Sequence, residues 1–228
     1  MSDEVVDFDE YVENYEELLE NQLSFFSSQR DYFSAYKIQL LKNALENEPK
    51  QILDFGCGIG LSLPHLVQAF PNAEIYGSDI SRKSLQYVEK NFPSVKTVYH
   101  LEKYRDAFDL VFLAGVIHHV PPSGRAEVMK QIQSVIKPGG TVCIFEHNPY
   151  NPITRRIVSN CPFDKGVVLI PKRELKNLMN KAKIEPTHTA YCLFFPQSLH
   201  FLRPLEKYLK AFPLGGQYFA LGKKHEQN

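Results

Sequence analysis

The stretch Gln51-Ile-Leu-Asp-Phe-Gly-Cys-Gly-Ile-Gly-Leu61 constrains this 228-residue chain more than any other. Ile52, Leu53 and Phe55 form a short apolar run of the kind that makes a buried strand, and the run stops at a glycine. Glycines then alternate at 56, 58 and 60, and a helix is expected to open at Ser62, with Pro64 tolerated in its first turn. A strand, a glycine turn and a helix in succession let a ligand lie against bare backbone at the carboxyl end of a parallel strand.

The glycine spacing and one neighbouring acid narrow the ligand. A nicotinamide fingerprint, G-x-G-x-x-G, would put its third glycine at position 61, which is Leu61. Here the third glycine comes one residue early, and Asp54 stands two residues before the first. A pyrophosphate needs amide donors and no nearby carboxylate, whereas an acid at Asp54 suits a ligand carrying an ammonium group. The pattern D-F-G-C-G-x-G resembles the signature of class I S-adenosylmethionine-dependent methyltransferases, in which it wraps the methionine end of the cofactor. That resemblance implies a Rossmann-like α/β fold, doubly wound and mostly parallel, with seven strands. It implies S-adenosyl-L-methionine as cofactor, held by Asp54, Phe55, Gly56, Cys57, Gly58 and Gly60.

A second strand is expected over residues 73–78, ending at Asp79, with Ser81 capping the next helix; Asp79 and Ile80 are cofactor-binding candidates. An acid at a strand end roughly 20 residues past the glycines is where such folds hold a ribose hydroxyl pair. Val95 to His100 read as a third strand. Beyond it Leu101 and Glu102 fall where the resembled family packs the adenine on an apolar side chain beside an acid, although the glycine–aspartate pair common there is missing. Phe108-Asp109-Leu-Val-Phe-Leu113 is nearly all apolar and therefore a central fourth strand. It runs into Ala114-Gly115-Val-Ile-His118-His119-Val120-Pro121, which resembles the F-D-x-V…H-H-V segment of small-molecule methyltransferases. Leu113, Ala114 and Gly115 are expected to let the methionine moiety pass. Ser123 is expected to cap a helix ending at Lys137-Pro138-Gly139-Gly140, followed by a fifth strand over 141–145, a helix from Pro171 to Lys181, a sixth strand over 187–195, a helix over 199–212 and a last strand over 217–222. By resemblance alone, the last strand is antiparallel and inserts between the fifth and sixth.

Composition bounds the rest. Lys+Arg 26 against Asp+Glu 26 leaves no net charge and no electrostatic reason to expect nucleic acid. Nothing approaches the ~20 uninterrupted apolar residues of a membrane span. The acidic N-terminus is not basic-then-apolar, so no secretory signal is expected, and Cys57, Cys143, Cys161 and Cys192 lack C-x-x-C spacing, which fits reduced thiols in the cytoplasm. Residues 1–47 read as an N-terminal helical lid ahead of a cofactor-binding domain over 48–228. Tyr15 and Tyr32 are pocket candidates there, because such helices close over the cofactor in the family resembled.

A methyl on a sulfonium is already electrophilic, so the protein supplies position and, for a neutral hydroxyl acceptor, a base. His118, His119 and His147 all lie at strand ends facing the expected crevice and are the catalytic candidates. Metal-assisted methylation wants carboxylates after the fourth and fifth strands; Ala114 and Gly115 offer none and Glu146 is alone, so no metal is expected. Asn148-Pro149-Tyr150 looks like the N-P-P-Y of base-methylating enzymes, but it follows the fifth strand and lacks the second proline. Arg155 and Arg156 could pair with an anionic acceptor, or stand as solvated helix charges. The reading is a methyltransferase acting on a small-molecule acceptor, a hydroxyl oxygen being favoured. The alternatives are a nicotinamide-dependent oxidoreductase and a non-catalytic S-adenosylmethionine-binding protein.

Overall fold

The computed structural model describes residues 32–225, so Tyr15 and most of the expected lid lie outside the described residues. Seven strands form one sheet in the order β3-β2-β1-β4-β5-β7-β6. They are β1 (Gln51–Phe55), β2 (Glu74–Ser78), β3 (Lys96–Val98), β4 (Phe108–Ala114), β5 (Ile136–His147), β6 (Ile184–Cys192) and β7 (Gln217–Lys224). The pairs β1–β2, β1–β4, β2–β3 and β4–β5 are parallel, while β7 runs antiparallel to both β5 and β6. The inserted antiparallel last strand is as expected.

Period-two alternation divides the side chains of each strand between two cores. Leu110 and Phe112 of β4 face one side, with Ile52, Cys143, Phe145 and Phe219; Val111 and Leu113 face the other, with Leu53, Val142, Ile144 and Tyr218. The first side is covered by α1 (Tyr32–Ala44), α2 (Leu63–Ala69) and α3 (Arg82–Asn91), through Ile38, Leu41, Leu63, Leu66, Leu85 and Val88. The second is covered by α4 (Arg125–Val135) and α6 (Lys172–Lys181), through Met129, Ile132, Leu175 and Met179. Between them in sequence lies α5 (Pro152–Asn160), whose Asn151 cap accepts from the amides of Ile153 and Thr154.

Several expected boundaries move for physical reasons. Ser81 caps α3 by accepting from Ser84 N–H, but α4 starts from Gly124 with no side-chain cap, so Ser123 does not play that part. Helix α4 stops at Val135, and β5 already begins at Ile136, because Phe108 pairs with Ile136 ahead of a register shift that takes up the Pro-Gly-Gly turn. Pairing with β7 moves β6 earlier, to Ile184–Cys192, and the expected helix over 199–212 is a 3₁₀ stretch, Gln197–Leu205, followed by the four-residue α7, Glu206–Leu209. Pro204 inside that stretch removes an amide donor, which favours the break. Asp109 of the F-D-x-V segment works at the amino end of the sheet. It accepts from the Lys50 and Gln51 amides at 3.0 and 2.8 Å and pairs with Lys137 at 2.6 Å.

Candidate active site

Strand order reverses its sense between β1 and β4, and this is where an open α/β sheet leaves a crevice at its carboxyl edge. The two segments flanking that point are the glycine turn after β1 and the Gly115–His119 turn after β4. In the first, Gly56, Gly58 and Gly60 adopt φ of 72°, 53° and 90°, a region that costs a side chain about 1–2 kcal/mol. The amides of Gly56 and Cys57 both donate to Ser78 O, at 2.8 and 2.9 Å, which ties the turn to the end of β2. A Cβ on Gly56 would sit 2.7 Å from Val116 Cγ2, so this glycine also lets the two turns touch. A Cβ on Gly58 would meet nothing within 4 Å, so the backbone there faces open space.

Asp79 closes the other side of the turn. Its Oδ2 accepts from Gly58 N–H and its Oδ1 from Ser81 N–H, both at 2.8 Å. A carboxylate offers more acceptor sites than two amide donors use, and an acid at this strand end is the residue type that accepts from a diol. Ile80 beside it is 82 % exposed, an apolar side chain standing in water at the mouth of the turn. Asp54 lies beneath, 3 % exposed. Burial, then the nearby Asp79 carboxylate, push its pKa up to about 8, against the pull of Lys37. The turn, the open space above Gly58 and two carboxylates together fit the ammonium and ribose of S-adenosylmethionine. Cys57 contributes backbone only, since its thiol packs inward against Gly77.

The other cofactor candidates are placed unevenly. Phe55 and Ala114 are half-buried at their strand ends, and Gly115 donates its amide to Phe145 O at 2.9 Å with φ 73°. Leu113 is fully buried in the core under α4 and α6, so its side chain lines no crevice. Leu101 is half-buried and packs against that same core, while Glu102 points outward and pairs with His100 at 3.2 Å. Tyr32 stacks on Tyr36 and carries the Arg203 guanidinium 4.0 Å from its ring centre. Arg155 and Arg156 are exposed on α5, as solvated helix charges are.

The three histidines come together. His118 and His119 lie on a 3₁₀ turn, Ile117–His119, after β4, and His147 ends β5. Ring centres are 4.2 Å apart for His118–His119 and 5.0 Å for His118–His147. Two carboxylates hold the group. Glu146 bonds His118 Nδ1 through Oε2 at 2.7 Å and accepts Ile117 N–H through Oε1 at 2.7 Å. Asp164 Oδ1 lies 3.5 Å from His118 Nε2 and 3.3 Å from His119 Nε2. Burial alone would discharge His118, but Glu146 and then Asp164 outweigh it and hold its pKa up at about 9. Burial and the His118 charge push His119 down to about 4 and His147 to about 3. One imidazolium thus sits between two carboxylates, with a neutral imidazole on either side.

Asp164 is the site residue that sequence reasoning missed. It belongs to a 3₁₀ turn, Pro162–Asp164, and no motif marks it. Its loop is pinned by Arg125, 1 % exposed, which donates Nε to Val120 O at 3.1 Å, pairs with Glu174 at 3.2 Å and bonds Val168 O. Lys37 was also missed, although a signal existed: it lies four residues from both Phe33 and Leu41 on the apolar stripe of α1. Burial lowers its pKa against the opposing pull of Cys192, Glu146 and Asp54, and its charge is felt in turn at Asp54 and His147. Asn148 is wholly buried, and its amide donates to Pro213 O at 2.9 Å and Gly215 O at 2.8 Å. Its donors hold the loop before β7 in place, and its resemblance to N-P-P-Y is therefore superficial.

A seven-stranded sheet with its last strand reversed, a glycine turn after β1 and an acid after β2 define the S-adenosylmethionine-dependent methyltransferase class. Residues 26–189 match the family described as a methyltransferase domain, and the chain belongs to that family. A methyltransferase of this class from Archaeoglobus fulgidus superimposes with a TM-score of 0.70 at 17 % identity, covering 92 % of this chain and 100 % of the other. Among curated proteins, the human tRNA N(3)-cytidine methyltransferase METTL6 is 29 % identical over 119 residues, covering 46 % of this chain and 42 % of the relative. The trans-aconitate 2-methyltransferase of Azoarcus sp. is 26 % identical over 126 residues, covering 54 % and 49 %. The chain spans about half the length of the curated relatives it matches. Family membership makes the cofactor S-adenosylmethionine and removes the nicotinamide alternative. Among the described residues no helix is long and apolar enough to cross a membrane.

Proposed function

We propose that this protein methylates a hydroxyl oxygen of a small-molecule acceptor, with His119 receiving the hydroxyl proton. The observation that carries the reading is the cluster itself: a neutral histidine beside a doubly buttressed one, joined to the glycine turn through the Gly56–Val116 contact. The cofactor, when bound, supplies an electrophilic methyl. Asp79 would hold its ribose, bare backbone at Gly56–Gly60 its amino-acid tail, and Asp54 its ammonium. Asp164 beside His119 Nε2 favours the tautomer with the proton there, which leaves the basic lone pair on Nδ1; that atom is buried, so a neighbouring side chain must shift for an acceptor hydroxyl to reach it. Glu146 acts at one remove, by fixing His118 and the turn that carries its neighbour.

The neutral overall charge and the engaged amide of Asn148 favour a small acceptor over a nucleic-acid base, even though curated relatives include tRNA methyltransferases. Four buried, unbridged cysteines fit the cytoplasm. The test is a screen of hydroxyl, amine and carboxylate acceptors, read as S-adenosylhomocysteine formed. A hydroxyl acceptor is expected to be turned over, and His119→Gln to slow it by about 10²–10⁴ with cofactor affinity kept. Turnover only on amines or carboxylates would refute the hydroxyl assignment. Tight cofactor binding with no turnover on any class would leave the non-catalytic binder as the correct reading.

A further inference from the structure

His118, His147 and Asp164 each present one donor atom, and the three atoms all lie within 4.8 Å of one another. We propose that this trio is a binding site for a divalent first-row transition metal of the zinc type. The expectation of no metal considered only carboxylates following β4 and β5. The fold assembles a different donor set, two imidazoles and a carboxylate from a 3₁₀ turn, a strand end and a remote loop.

Three independent features support it. First, the spacing of one donor pair fits, and the His147 donor lies within 4.8 Å of both, a gap that ring rotation on ion binding must close. Donors around a tetrahedral ion with bonds of about 2.0–2.1 Å stand about 3.4 Å apart, and His118 Nε2 and Asp164 Oδ1 are already 3.5 Å apart. Second, the outer partners are those a ligating histidine uses. Glu146, itself anchored by Ile117 N–H, takes the far nitrogen of His118 at 2.7 Å, so Nε2 is the one turned to the ion. On His147, the Gln217 amide lies 3.4 Å from Nδ1, and Gln217 Oε1 is buried with no hydrogen-bond partner. Half a turn of that amide gives Oε1 the Nδ1 proton and leaves the other ring nitrogen of His147 as a bare donor. Third, charge closes once the ion displaces the Nε2 proton of the His118 imidazolium to solvent: two buried carboxylates, two neutral imidazoles and a divalent cation sum to zero, as a site taken out of water requires.

Two imidazoles and one carboxylate suit zinc, cobalt or iron(II) rather than magnesium or calcium, which want oxygen alone. Three protein donors leave at least one position open, where an acceptor oxygen could bind and be acidified. His119 is outside the trio and keeps the role given above. Binding of the ion does not depend on the methyl-transfer reading, and it is tested without cofactor or acceptor.

The experiment titrates the chelator-treated full chain with Co²⁺, followed by visible absorption, and with Zn²⁺, followed by calorimetry. One equivalent is expected, with the cobalt bands of a mixed nitrogen–oxygen site and no sulfur charge-transfer band. Glu146→Gln is expected to weaken binding about 10–100-fold through the outer shell. His147→Gln and Asp164→Asn should weaken it further, with His188→Gln, on β6, leaving it unchanged. X-ray absorption on the zinc-loaded wild type, which needs no variant to fold, should show two imidazoles among oxygen ligands. No stoichiometric binding, sulfur ligation, or equal affinity in His147→Gln and Asp164→Asn would overturn the proposal.

Discussion

A buried carboxylate that ionises only when a cation arrives should make cofactor binding release a proton. Asp54 is that group, with a pKa raised to about 8 by burial and by Asp79, so about nine-tenths of it is protonated at pH 7. An ammonium placed beside it needs the carboxylate. An α-amino group loses its own proton near pH ~8, so binding takes up about 0.1 proton there and the net release at pH 7 is about 0.8. Affinity then depends on the product of ionised Asp54 and protonated amine, which rises about 25-fold from pH 6 to pH 8, roughly 1.9 kcal/mol, and falls again above it. Calorimetry with S-adenosylhomocysteine, in buffers of different ionisation enthalpy, measures the proton count directly. Asp54→Asn, of the same shape, should bind more weakly, with a release near zero and no rise over that range. The unligated protein carries the opposite linkage. Because the folded pKa lies above the unfolded one, Asp54 favours the fold most below pH ~4, and that contribution is lost as pH rises through about 8. A flat affinity between pH 6 and 8, or the same proton release in Asp54→Asn, would refute the placement of the ammonium at this carboxylate.

Other outcomes follow from the same geometry. Asp79→Ala should weaken cofactor binding by ~1–3 kcal/mol in calorimetry by removing the ribose acceptor; unchanged affinity would remove that assignment. Asn148→Ala leaves Pro213 O and Gly215 O without their donor, and should cost about 2–3 kcal/mol in denaturant melts while leaving cofactor affinity within twofold. Lys224, 4 % exposed, donates to Asp106 at 2.6 Å and to Gln133 O and Ile136 O at 2.8 and 2.9 Å. Lys224→Ala should therefore lose about 1–3 kcal/mol of stability, chiefly because Gln133 O and Ile136 O lose their donor, Asp106 being a third exposed and able to regain water.

Much of the fold is local and was legible in the residues. The glycine turn after β1 needs φ that only glycine takes cheaply, and the apolar run of β4 needs both faces covered, so each announces its own geometry. Asp79 and the three histidines were legible because they sit at strand ends, and strand ends are readable. Boundaries set by pairing were not: the early start of β5 and the shift of β6 depend on Phe108 and on β7, far away in the chain. The chemistry of the histidines was equally hidden. Nothing in His118-His119 distinguishes a ring held charged between Glu146 and Asp164 from a neighbour kept neutral, because the difference arises from carboxylates 28 and 46 positions along the chain.

Sequence alone thus determined which turn leaves its backbone bare and which side chains stand at strand ends, since both follow from steric rules acting over a few residues. Only the tertiary structure decided protonation and donor geometry. Those depend on burial and on charges brought within a few ångströms by the loop that Arg125 pins, and no local pattern encodes them.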